Sequence, residues 1–84
     1  MTEPYIDTRY CRIRGIVQAD ENGNPSTIAD SENGRTIVCR QHDEIEQPIP
    51  CGIELVAYGT AMVGHCYQPI HLTISRFELV TKPA

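Results

Sequence analysis

Residues 8–18 read Thr-Arg-Tyr-Cys-Arg-Ile-Arg-Gly-Ile-Val-Gln, with apolar and polar side chains alternating. A period of two marks a strand with one buried face, because successive side chains point to opposite sides. Cys11 and Ile13 fall on one face, and Tyr10, Arg12 and Arg14 on the other. Beyond Gly15 either Ile16 or Val17 continues the inner face, so a change of parity is expected at the glycine. A glycine inside such a pattern suggests a bulge or a sharp bend. A small barrel needs a bend of this kind, since a long first strand must serve both sides of the closure.

The rest of the chain supplies four more strands. Residues 19–25 are a polar connection with Asn-Gly turn chemistry, and 26–30 are a short second strand. Asn33-Gly34 closes a tight turn, where positive φ is needed. Residues 35–42 form a third strand, with Ile37 and Cys39 inward and Val38, Arg40 and His42 outward; the opposite parity fits nearly as well. Residues 43–51 contain Pro48 and Pro50, which leave room for no more than one helical turn before Gln47. Gly52 opens a fourth strand over 53–63, with Gly59 as a second bend. Residues 64–69 are a loop, and 70–80 are the fifth strand. There Ile70, Leu72 and Ile74 share one face, and Phe77 and Leu79 follow a parity change. Tyr58 is expected to pack in the core, and 81–84 to fray.

Composition sets bounds on this picture. With 84 residues the chain makes one domain, its ordered core spanning about residues 8–80. There is no Trp and one Phe, so aliphatic residues and four tyrosines must build the core. Closing a sheet on itself suits that supply, because it buries one face of every strand without helices. No apolar run approaches the ~20 residues of a membrane span, and no membrane partner is expected. The opening Met-Thr-Glu-Pro-Tyr-Ile-Asp carries acids where a signal peptide would carry Lys or Arg. The expectation is a cytoplasmic protein with reduced cysteines.

Three segments carry a resemblance. Ile13-Arg-Gly-Ile-Val17 resembles the Val-x-Gly-x-Val first strand of nucleic-acid-binding OB domains. Asp30-Ser-Glu-Asn-Gly-Arg-Thr-Ile-Val-Cys39 resembles their Asp-x-x-Gly-x-Ile-x-Cys/Val hairpin. Cys51-Gly-Ile-Glu-Leu-Val-Ala-Tyr-Gly59 resembles their Gly-x-x-Val-x-Val-x-Gly fourth strand. Such motifs occur in anticodon-binding domains of aminoacyl-tRNA synthetases and in subunits of replication protein A. The resemblance covers about residues 9–80. It implies an all-β, five-stranded OB-fold Greek-key barrel with little or no helix between the third and fourth strands, where the family usually has one. Each glycine has a geometric task, so the motifs report barrel construction rather than a ligand.

The function that the resemblance implies is binding of single-stranded DNA or RNA through the strand 2–3 face and loops 1–2 and 4–5. Phosphates call for arginine and unstacked bases for aromatic platforms. The phosphate candidates are Arg12, Arg14, Arg35 and Arg40, and the stacking candidates are Tyr10, His42, His65 and Tyr67. Against this stand a net charge of −4 and acids concentrated in the turns, such as Asp20, Glu21, Asp43 and Glu44. The arginines also read as an ordinary solvated face, paired across strands with Glu54 or Glu78. The alternative function is therefore a protein-interaction module or accessory subunit, acting on a partner or as a homo-oligomer. Catalysis is not expected, since no nucleophile–base pattern or phosphate-cradling loop occurs. Cys39, His42, Cys51 and Cys66 lack the spacing of paired zinc knuckles, so no metal or other cofactor is expected.

Overall fold

The computed structural model describes residues 7–64 and 69–80. Five strands, β1 (Asp7–Ala19), β2 (Pro25–Asp30), β3 (Thr36–Gln41), β4 (Glu54–Val63) and β5 (Pro69–Leu79), close into a barrel of order β1-β2-β3-β5-β4. All neighbours are antiparallel except β3 and β5, which run parallel. This is an OB-fold-like five-stranded barrel, and it contains no helix among the described residues.

Closure depends on β1 pairing twice. Its first ten residues, Asp7–Ile16, pair with β4, and Gly15–Ala19 pair with β2. Gly15 and Ile16 therefore hold partners on both sides, Asp30 and Leu55 for the glycine. A Cβ at Gly15 would overlap the carbonyl oxygen of Ala29, and one at Gly59 would overlap that of Thr73. At both positions backbone meets backbone, and only glycine fits.

The expected parity change at Gly15 does not occur. Cys11, Ile13, Gly15 and Val17 form one continuous inward series, and Ile16 points outward. The strand stays regular because Gly15 is needed for close approach, not for an extra residue. The irregularity in β1 lies later, between Gln18 and Ala19. In β5 the expected change is present. Tyr58 pairs with Arg76 and Gly59 with Ile74, so Ser75 is the extra residue of a bulge. A second shift, between Met62 and Val63, turns Ile70 outward rather than inward with Leu72 and Ile74.

Val17, Ile28, Ile37, Cys39, Leu55, Ala57, Ala61, Leu72 and Ile74 fill the interior. The β3–β4 connection supplies the plug that a helix would otherwise provide. Ile49 is buried in the core, with Ile45 and Cys51 packed beside it. Gln41, at the end of β3, holds this connection in place. Its Nε2 donates to the carbonyls of Ile45 and Gln47, and its Oε1 accepts from the Ile49 amide. At the far side, the Gly52 amide donates to Val17 O with the glycine at φ +86°.

Because the obstacle at Gly15 is a carbonyl of the neighbouring strand, the wall cannot yield without losing β1–β2 pairing. Gly15→Ala is expected to destabilise the protein by about 3 kcal/mol, the upper end of overpacking costs. Urea unfolding monitored by circular dichroism measures this, and a change below about 0.5 kcal/mol, the scatter of ordinary surface substitutions, contradicts the close-contact account.

Candidate nucleic-acid interface

The register arranges the outward side chains in rows around the barrel. One row runs Arg40–Thr73–Thr60–Tyr10 across β3, β5, β4 and β1. The next runs Arg76–Tyr58–Arg12 across β5, β4 and β1. Rows two residues apart along a strand are spaced by roughly 7 Å, and strands by about 4.8 Å. Tyr10, Arg12, Tyr58 and Arg76 thus share one wall over β1, β4 and β5, while Arg40 lies three strands round the closed barrel from Tyr10. Tyr10 is 67% exposed, and the Arg76 guanidinium lies 4.1 Å from the centroid of the Tyr58 ring. Tyr58 faces outward on this wall and is only half-buried, which corrects its expected place in the core. The bulge at Ser75 brings Arg76 opposite Tyr58 rather than leaving it one position out of register.

The structure divides the candidates read from the sequence. Tyr10, Arg12 and Arg40 belong to the two rows above. Arg14 lies on the same side but is tied down: its Nη2 donates to Glu54 Oε1 at 3.0 Å, while Ser31 Oγ donates to Glu54 Oε2 at 3.0 Å. Ser31 N also donates to Arg14 O, and Arg14 Nε is buried. Arg14 therefore fastens the β2–β3 turn to β1. Arg35 is exposed beside that turn, where its carbonyl accepts from the Asp30 amide. Asp30 is itself buried and caps the turn, accepting from the amides of Glu32 and Asn33 and from Asn33 Nδ2. His65 and Tyr67 lie outside the described residues.

The face expected to carry the ligand has few of the required groups. The outward residues of β2 and β3 are Thr27, Ala29, Thr36, Val38 and Arg40, with one cation and no aromatic ring. Arg40 and His42 do converge at its edge. They line a groove of about 430 Å³ with Asn24 and Pro25 of the β1–β2 connection and with Asp43 and Ile45. His42 Nδ1 accepts from the Glu44 amide at 3.1 Å, which leaves Nε2 as the protonated nitrogen of the neutral ring. Sequence reading missed Tyr58 and Arg76 as members of a surface. Tyr58 was expected in the core, and the β5 bulge that brings Arg76 opposite it leaves no signal along the chain.

The thiols do different work. Cys39 is buried in the core, with its thiol pushed up to about 11 by burial and, secondarily, by the neighbouring Cys51. At neutral pH it is a thiol rather than the thiolate that metal binding or nucleophilic attack requires. Cys51 Sγ donates to Ile49 O at 3.6 Å. Among the described residues no three His, Cys, Asp or Glu side chains stand together as a metal site, and Cys66 lies outside them. The raised Cys39 value fixes a pH dependence. An unfolded chain loses this proton near 9 and the folded one near 11, so between those values the unfolded state binds fewer protons. Stability is then fully present below pH 9 and falls as pH rises towards 11. Thermal melts across this range are expected to lose part of their alkaline decline in Cys39→Ala, and an unchanged pH profile contradicts the assignment. No protein-family model, curated protein or solved structure matches the chain, so the geometry stands without a relative beside it.

Proposed function

We propose that this barrel is a binding module for single-stranded nucleic acid, and that its contact surface is the outer wall of β1, β4 and β5. The observation that supports the reading is the placing of Tyr10 and Tyr58 beside Arg12 and Arg76, with Arg40 further round the barrel on the row of Tyr10. An unpaired base stacks on the exposed Tyr10 ring, Tyr58 holds Arg76 across its own face, and the guanidinium groups take the neighbouring phosphates. The strand leaves the wall at Arg40 and reaches the groove beside His42, which joins the wall to the edge of the β2–β3 face. A net charge of −4 limits the affinity, because the acidic turns repel a polyanion everywhere except along these rows.

A second reading, docking of a protein partner or a second copy, draws on the adjoining row. Val38, His71 and Met62 are cross-strand neighbours there, and Val38, Met62 and the nearby Ile70 are 51%, 40% and 50% exposed. Apolar side chains grouped in this way suit a protein surface more than a phosphate backbone.

Fluorescence anisotropy with labelled oligo-dT and oligo-U separates the two. Affinity is expected to fall steeply with salt, and Tyr10→Ala to cost about 1–3 kcal/mol, the worth of one stacked base. Arg12→Ala and Arg40→Ala are each expected to reduce the salt slope by ~0.7, the counterion released per single-strand phosphate contact. Absence of binding at low salt contradicts the nucleic-acid reading and leaves the apolar row as the better guide.

A further inference from the structure

The same wall carries its own competitors for the arginines. Arg12 Nη1 lies 3.7 Å from Glu32 Oε1, and Arg76 Nη1 lies 3.2 Å from Glu78 Oε1. In both pairs each side chain is more than half exposed. The Arg14–Glu54 pair differs: it is shorter at 3.0 Å, less exposed on both sides, and braced by Ser31. Two kinds of ion pair therefore stand side by side, one built into the turn and two lying loosely on the surface.

We propose that Glu32 and Glu78 act as internal stand-ins for phosphate, so that a nucleic-acid strand gains Arg12 and Arg76 only by displacing them. The proposal rests on the nucleic-acid reading of this wall and concerns how its affinity is set. A carboxylate and a phosphate present the same chemistry to a guanidinium, two or more anionic oxygens in a plane that its N–H fork can meet. Exposed pairs contribute little to stability, so exchanging partners on Arg12 and Arg76 costs the fold almost nothing. Exchange at Arg14 is disfavoured, because Glu54 also receives Ser31 and Arg14 Nε is buried. The geometry also accounts for an acidic chain that keeps arginines in register with tyrosines. Without a ligand the arginines are neutralised in place, and a weakly bound strand must outbid two carboxylates. The result is a binder that discriminates against diffuse polyanions and favours strands with a base that also stacks on the exposed Tyr10 ring.

The test removes each carboxylate's charge without its shape. Glu32→Gln and Glu78→Gln are each expected to tighten oligo-dT binding roughly two- to fivefold at low salt, the range set by exposed ion pairs. Glu21→Gln removes the same charge from the β1–β2 connection and is expected to change affinity by less than about 1.5-fold, as screened general attraction would. The gain from Glu32→Gln is expected to vanish in an Arg12→Ala background, which a double-mutant cycle reads directly. Circular dichroism melts check that each variant is folded. If the wild-type protein binds but Glu32→Gln and Glu78→Gln match Glu21→Gln, the stand-in role is overturned and the binding reading survives. If only the charge-removed variants bind and the wild-type protein does not, the native wall takes no strand, and the binding reading fails together with this proposal about its affinity. If neither the wild-type protein nor a Glu32→Gln/Glu78→Gln double variant binds oligo-dT or oligo-U, the binding reading fails and takes this proposal with it.

Discussion

Double pairing of β1 is the constraint from which the rest of the architecture follows. One strand must satisfy β4 along most of its length and β2 at its end, and the two partnerships overlap at Gly15 and Ile16. Backbone hydrogen bonds are obligatory in a buried wall, so the overlap has to be made by close approach rather than by skipping a residue. Gly15 meets the carbonyl of Ala29, and Gly59 meets that of Thr73. With those contacts made, the inward series of each strand is set, and so is the outward one. The functional reading concerns only that outward series, which is why a packing constraint inside the barrel governs which arginine stands beside which tyrosine.

A chain this small gains its core without a helix by turning the β3–β4 connection inward. Pro48 and Pro50 prevent a helix there, and Ile49 between them enters the core instead. Three hydrogen bonds at the Gln41 side chain, two donated and one accepted, replace the pairing that an extended connection would otherwise leave unmade. Cys39 sits in the same interior as a small apolar residue, which its raised pKa reflects.

Much of this was legible in the residues, and what was not has a common cause. Alternation in 8–18 and 35–42 placed Cys11, Ile13, Ile37 and Cys39 inside and Arg12, Val38 and Arg40 outside, as the burial pattern has them. The glycines at 15 and 59 marked the wall's special positions, though as close contacts rather than as a kink at Gly15. Cross-strand pairing of an arginine with Glu54 was also expected and is present with Arg14, whereas Glu78 pairs with Arg76 on its own strand. What could not be read was register. Ile16 had two possible faces and the unbroken pairing of β1 turned it outward, while Ile70, expected beside Leu72 and Ile74, was turned outward by a register shift against β4. The association of Tyr58 with Arg76 and Arg12 is likewise a product of cross-strand pairing, not of spacing along the chain.

The central claim is that the outer wall of β1, β4 and β5, rather than the β2–β3 face, receives a single strand. Amide and side-chain NMR shifts followed during titration with oligo-dT test it most directly. The account predicts the largest changes at Tyr10, Arg12, Tyr58, Thr60 and Arg76, diminishing towards Arg40 and His42. Changes centred on Thr27, Ala29 and Thr36, or an unperturbed spectrum at low salt, would contradict it.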